Sequence, residues 1–546
     1  IFLKIISVPV NAVFIFSTIF YPLPASAQNF FQPAQILPIQ LISSILSLPP
    51  QIIDPNGIVT DYEYFPATGY VKALKRDTVP VGGSTPVNAI TQFTYDNFGY
   101  LYLGTDAENR VTDVDFNELG WLIQQKNPRN FLTKYTYDEN GNVKKLERQA
   151  DVAATVWQTT QMTYDILNNL KTVTDPLNRP TTYNYDNNEN LQSVVDAENH
   201  TTSYEYDERD LLFKIKDANT PQGTTQYDYD INGNLKKITD ANGNATGYAF
   251  DLFERMDVMT YADLKYVDYD YDKNSNLDFV TLPGTRGMMD YIYDELNRLT
   301  NKNYPNNPSR NASYVYDIGS RLIDANNAAA QVHFVYDNLN RVDTATQTLG
   351  SLNPLFLDYD YDKVGSRTQL KYPSGKTIDY TYDANDNMDL VKVGGATITD
   401  YDWDVLDRRQ DKILRSTNPE LRATYSFDIA NQLSQIKNQL TGGAVISQFD
   451  YTLYDNVGNR KKLDDKRGTN PVKNFTYGYN NIYELTSVSG AQTHSFQYDN
   501  TANRKTVDGV SYTPNNLNQY TLIGPQAYLY DDNGNLTNDG TKTYLY

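Results

Sequence analysis

Carboxylates are the one chemically capable group this sequence holds in quantity. Its 546 residues carry 67 Asp and Glu against 47 Lys and Arg, a formal charge of −20, with three histidines and no cysteine. Two carboxyls at a fixed separation, one with its pKa raised by burial, can hydrolyse a glycoside. Asp268, Asp270 and Asp272 alternate in a way that places all three on one strand face, opposite Tyr269 and Tyr271. Similar acids recur beside turn formers along most of the chain, so solvated turn caps are the expected role. Asp228-x-Asp230-x-Asn232-Gly233 opens like an EF-hand loop, but Thr239 holds the twelfth position where a bidentate Glu is needed. That leaves at most weak calcium binding by Asp/Asn turns.

His200, His333 and His494 lie more than a hundred residues apart and are expected on strand faces. Without cysteine there is no thiolate zinc site, iron–sulfur ligation, disulfide or thiol nucleophile. No nucleophile elbow, phosphate loop or dinucleotide fingerprint occurs. No catalytic, cofactor or metal site is expected, and the chain reads as non-enzymatic. The acidic balance argues against nucleic acid as partner, because phosphate recognition needs clustered Lys and Arg.

The elements that carry these acids repeat. FTYDNFGYL starts at Phe93, YTYDENGNV at Tyr135, YDYDINGNL at Tyr227 and YLYDDNGNL at Tyr528. The aromatic–Asp pair recurs as Tyr95-Asp96, Tyr137-Asp138, Tyr164-Asp165, Tyr185-Asp186, Tyr206-Asp207, Tyr229-Asp230, Tyr271-Asp272 and Tyr293-Asp294. It continues as Tyr316-Asp317, Tyr336-Asp337, Tyr361-Asp362, Tyr382-Asp383, Tyr454-Asp455, Tyr498-Asp499 and Tyr530-Asp531. Gly141, Gly233 and Gly534 close the turn in three copies, and Phe116, Phe250, Trp403 and Phe427 replace the tyrosine in weaker ones. Twenty anchors run from Tyr95 to Tyr530, many 21 residues apart; the other gaps, 19 to 32, read as insertions at turns.

Y-x-Y puts two rings on one strand face, and Tyr and Thr favour strands. Asn-Gly, as in Asn140-Gly141, signals a tight hairpin. A second strand and a second turn such as Asp240-Ala241-Asn242-Gly243 complete the unit. The chain is therefore expected to be all-β, about forty strands. At ~4.8 Å per strand the ribbon runs ~190 Å, too long to lie open. Closed once it is roughly 60 Å across, wound twice roughly 30 Å, and a hollow shell results. A β-solenoid and a propeller are the alternatives. The tyrosine rows are expected to stabilise the sheet, with glycan binding as the functional alternative.

Ahead of the repeats, residues 1–27 combine Lys4, an apolar stretch and Ala25-Ser26-Ala27, the pattern of a secretory signal cut between Ala27 and Gln28. Residues 28–61 are apolar and Pro-punctuated, a candidate plug, and 62–546 hold the repeats. No later stretch suits a membrane span, so a secreted or cell-surface location is expected.

Tyr229-Asp230-x-x-Gly233-Asn234-Leu235, followed by Asp240-Ala241-Asn242-Gly243-Asn244, resembles the YD repeat of the Rhs family. That family includes bacterial wall-associated proteins, toxin-complex C subunits and animal teneurins. The resemblance implies a spiralling antiparallel sheet closed into a cocoon, which in many bacterial members encloses a C-terminal toxic polypeptide. It also implies a self-cleaved cap near a D-P-x-G motif after the repeats. Here Asp54-Pro55-Asn56-Gly57 precedes them and reads as a turn. With no cap after Tyr546, the expectation is a shell fragment whose toxin is lost or encoded downstream, or an extracellular adhesin or carbohydrate-binding scaffold.

Overall fold

The computed structural model describes residues 51–76, 87–284 and 287–544. Ala27, Gln28 and the apolar segment up to residue 50 lie outside the described residues. Forty-six strands, numbered β1 to β46 in chain order, make up the fold, with one 3-10 turn at Pro308–Arg310 and no α-helix among the described residues. The first 44 form a single sheet from β1 (Gln51–Ile53) to β44 (Gln526–Ala527). Every strand in it pairs antiparallel with its neighbours in sequence, as β1 does with β2 (Val59–Tyr64). β45 (Leu529–Tyr530) and β46 (Leu536–Asn538) pair as a separate hairpin. One uninterrupted meander replaces the blades of a propeller or the stacked coils of a solenoid. The all-β ribbon is as expected, and it is not closed edge to edge.

Cross-strand pairs explain why these residues make strands. The first ring of most Y-x-Y pairs faces an aliphatic side chain on the next strand: Tyr135 opposite Leu146, Tyr204 opposite Ile215, Tyr269 opposite Val280. Aromatic–β-branched pairs of this kind each add ~0.2–1 kcal/mol. Burial concentrates there, with Tyr204, Val267 and Val280 all buried.

The second ring behaves differently. At Tyr137, Tyr206, Tyr229 and Tyr271 the register slips by one residue, so each anchor sits on a bulge just before its turn. The same slip occurs at Tyr95, Tyr293, Tyr316, Tyr361, Tyr382, Tyr454, Tyr498 and Tyr530. Bulges bend and twist a strand, and repeated at every hairpin they curl the whole ribbon.

That curl brings distant turns together. Side chains form hydrogen bonds between residues 254 to 287 apart in sequence. The Asp106 turn follows β5 (Leu101–Thr105), and it meets the Asp386 turn, which follows β30 (Thr377–Tyr382). One winding therefore takes 23 to 25 strands. At ~4.8 Å each its circumference is ~120 Å and its diameter roughly 38 Å, between the two values expected from sequence. The sheet completes one winding and most of a second.

Candidate functional site at the turn rims

Many of the chain's acids sit in the turns at the two ends of the hairpins, so the two rims of the ribbon are its chemically richest places. In the turn after Tyr137, Asp138 Oδ1 accepts the N–H groups of Asn140 (3.0 Å) and Asn142 (2.9 Å), and Oδ2 accepts Asn142 Nδ2 (3.0 Å). Burial works against ionisation, yet the Asn142 side chain and the backbone donors hold this carboxyl below its ordinary value. Asp165, Asp186, Asp230 and Asp531 cap their turns the same way. Positive φ falls on Gly141 (90°) and not on Asn140. The loop is thus an Asp-capped turn closed by one left-handed residue, where the sequence suggested a two-residue Asn-Gly hairpin. The carboxylate rewards the longer loop by satisfying two N–H groups a tighter one would leave to solvent.

Most second turns of the first winding are the same device. Asp106 caps Glu108 and Arg110 at 2.9 Å each, Asp240 caps Asn242 and Asn244 at 2.9 and 2.8 Å, and Asp54 caps Asn56 and Ile58 at 2.9 Å. Asp54-Pro55-Asn56-Gly57 is therefore a turn, and residues 51–61 belong to the sheet.

Anchor tyrosines tie one unit to the previous one. Tyr137 Oη donates to Leu122 O (2.7 Å), Tyr185 to Leu170 O, Tyr206 to Leu191 O (3.0 Å each) and Tyr336 to Leu322 O (2.7 Å). Trp403 keeps the bond through Nε1, 2.8 Å from Met388 O. Burial, with Tyr135 beside it, pushes the Tyr137 hydroxyl up to about 12.

Sequence reasoning missed the residue that follows the positive-φ position. Where it is aromatic or Arg in a first turn it leans on the next anchor: Tyr100 on Phe116 at 5.3 Å, Trp121 on Tyr137 at 5.2 Å, Arg255 over Tyr271 at 4.4 Å and Arg341 over Tyr361 at 4.7 Å. Where it is Asn or Arg, it also reaches the next turn's left-handed side chain, as Asn190 does Asp210 (2.7 Å) and Arg321 does Asn340 (2.7 Å). Two turns were also missed, those of Phe65 and Asn515, because neither has Asp at its head. The second lies inside the 32-residue gap before Tyr530, which holds a whole hairpin where the sequence reading placed an insertion.

Other assignments need correction. Asp272 does not share a strand face with Asp268 and Asp270; it caps Asn274 and Asn276 at 2.8 Å each, because the bulge at Tyr271 breaks the alternation. Asp228 lies beside Lys237 (2.7 Å) and Gln226 (2.9 Å), while Asp230 serves its turn. Among the described residues no three His, Asp or Glu gather as a metal site. His333 and His494 stand on strands beside Asp324 and Asp508, but His200 sits in a turn.

The second-turn rim of the first winding carries the first-turn rim of the second. Arg110 pairs with Asp386. Arg129 donates to Asp407 Oδ1 (2.8 Å), Asp404 O (2.9 Å) and Trp403 O (2.8 Å). Asn242 donates to Asp499 Oδ2 (2.9 Å), Asn516 to Ala262 O (2.8 Å) and Asn340 to Asp54 Oδ2 (3.0 Å). His200 Nδ1 lies 3.0 Å from Tyr483 Oη, which donates to Asp196. Burial, then that bond, holds the Tyr483 hydroxyl well above the usual tyrosine value. This seam is what makes the ribbon a wall.

A family profile, RHS Repeat, matches residues 164–201 and 229–264. Those two stretches are RHS repeats. Both matched stretches are Asp-capped hairpins of the kind just described, and similar hairpins recur along the rest of the sheet. No curated protein matches the sequence. Among solved structures, the crystal structure of TcdB2-TccC3 superposes with a TM-score of 0.53 at 13% identity, over 94% of this chain and 38% of that one. The TcdB2-TccC3-TEV structure gives 0.60 at 14%, over 92% and 29%. TcdB2-TccC3 without its hypervariable C-terminal region gives 0.52 at 12%, over 94% and 40%. The likeness is one of fold, and the RHS repeats here span well under half the length of those chains. Among the described residues no helix is long and apolar enough to cross a membrane.

Proposed function

We propose that this stretch is the wall of a container for a toxic polypeptide, secreted or held at the cell surface and used against other cells. It does no chemistry of its own in this reading. The observation that carries it is the single-layered sheet wound past one full turn and fastened along a side-chain seam. A ring roughly 38 Å across, walled by one sheet, is wider than its own side chains can fill. The shared fold with TcdB2-TccC3 supports the reading.

The test is protection. An unfolded, protease-cleavable peptide is fused after Tyr546 and its cleavage compared with that of the free peptide. Cleavage at least tenfold slower is expected; equal rates overturn enclosure. For location, fractionation of expressing cells should place the protein in the medium or at the surface, and purely cytoplasmic protein overturns that part.

A further inference from the structure

Along the seam, one turn has its donor and acceptor exchanged. In the turn after Tyr454, Asp455 heads the loop and Asn459 Nδ2 donates to its Oδ2 (3.0 Å). Asp499 and Asn503 repeat that bond at 3.0 Å, and Asn503 also donates to Asn518 of the next turn (2.7 Å). Arg408 fills the same place, donating to Asp404 (2.7 Å) and to Asn431 of the next turn (3.0 Å). Between the Asp455 and Asp499 turns, residues 480–484 are headed by Asn480, and Glu484 stands where those donors stand. Asn480 Nδ2 donates to Glu484 Oε2, while Glu484 Oε1 is buried with no partner. An ionised carboxylate offers no hydrogen at a place built for a donor.

This carboxyl lies on the seam. Asn481 Nδ2 donates to Ala218 O (3.0 Å), which lays the loop on the first-winding turn capped by Asp217. Asp217 on that side and Asp499 in the following turn both disfavour a negative charge at Glu484. On the other flank Tyr483 donates to Asp196, His200 Nδ1 lies 3.0 Å from Tyr483 Oη, and Glu198 accepts Asn456 N (2.6 Å). Arg179 turns to Asp175 (2.7 Å) and Asp455 O (3.2 Å), and Arg504 lies beside Tyr498. Neither guanidinium bonds Glu484.

We infer that Glu484 is a proton latch between the windings. With the proton on, its hydroxyl supplies the missing donor and the seam closes over Asp217; with the proton off, the two carboxylates repel and the seam loosens there. Burial, opposed by the Asn480 bond and reinforced by Asp499 and Asp217, pushes the Glu484 carboxyl above its ordinary value. Its contribution to closure is complete below the unfolded value of 4.5 and drains as pH rises through the higher folded value. Mild acid therefore tightens the seam while the lowered capping aspartates still hold their hairpins. The latch acts on the seam alone and holds whether or not a polypeptide is enclosed.

The chain has no cysteine, so Thr201→Cys and Ser487→Cys carry a clean pair of spin labels on the full chain. Both positions are exposed; one follows the Asp196 turn and the other follows Glu484, on opposite sides of the seam. Pulsed dipolar spectroscopy reads their separation at about pH 5 and about pH 8. The fraction of long distances is expected to rise at least twofold at the higher pH. Glu484→Gln, which keeps a donor and carries no charge, should hold the short distance at both. Asp217→Asn, which can still cap its turn, should flatten the response as well, and decides the matter alone if Glu484→Gln loses its strand signal by circular dichroism. A separation indifferent to pH, a response that survives these substitutions in folded chains, or one abolished by His200→Gln and not by Glu484→Gln would each overturn the latch.

Discussion

The indole of Trp121 fills the space a β-carbon on Gly141 would need, its Cζ2 lying 2.9 Å from that position. The same holds for Tyr100 against Gly120 and Tyr70 against Gly99. Where the leaning residue is Asn or Arg, the next left-handed position is instead Asn168, Asp210, Ser275 or Asn340 and receives a hydrogen bond. Neighbouring turns are therefore chosen in pairs.

Gly141→Ala should be destabilising by about 1–3 kcal/mol, from the left-handed backbone and the displaced indole. Trp121→Asn combined with Gly141→Asn should recover part of the loss by rebuilding the polar pair. Chemical denaturation of the single and double variants reads the coupling, and strict additivity would contradict it.

Tyr206→Phe should cost ~1 kcal/mol through the lost bond to Leu191 O, with the ring stack kept. Phe250→Tyr should gain a similar amount, because the anchor geometry offers Leu235 O to the new hydroxyl. Paired melting curves should move in opposite directions.

At the rims, Asp230→Ala removes the acceptor of two backbone N–H groups and should lower the melting temperature measurably. The pH dependence follows from the lowered carboxyls, Asp138, Asp165 and Asp230 among them. Their contribution is complete above the unfolded value of 3.8 and is lost as pH falls through the lower folded values. Acid titration by circular dichroism should show loss of strand signal below that point.

Tyrosine hydroxyls set the opposite limit. Tyr137 and Tyr204 are raised from 10.0 to about 12 by burial. Stability from their neutral forms is present below pH 10 and drains as pH rises through 12. Alkaline unfolding should coincide with tyrosinate absorbance.

Arg129→Ala should loosen the seam without unfolding hairpins, since its bonds to Asp407, Asp404 and Trp403 lie between windings. Small-angle scattering should show a larger radius of gyration with unchanged strand content.

Sequence carried the hairpins well because their determinants are local. Tyr–Asp pairs, Asn and Gly at turns and period-two alternation all act within a few residues, and Tyr95 through Tyr530 fall where expected. The bulge at each anchor was not legible: it depends on pairing with the next strand, and it moved Asp272 from a strand face to a turn. His200 was misread for the same kind of reason, since its partner Tyr483 lies 283 residues away. Turns headed by Phe65 and Asn515 escaped because Asn515 supplies the same acceptor oxygen under another letter, while the Phe65 turn closes through backbone bonds and a Tyr70 N–H donating to the Thr68 hydroxyl.

Because each strand rests only on its sequence neighbours, the wall can be laid down as the ribosome delivers it. Hairpin formation needs no distant partner, and chains rich in local contacts fold quickly. Curvature alone cannot seal the wall, however: Asn340 must be synthesised before it can grip Asp54, 286 residues upstream. Until then the nascent ribbon is an open trough. Anything to be held inside can enter sideways during that interval, with no gate required.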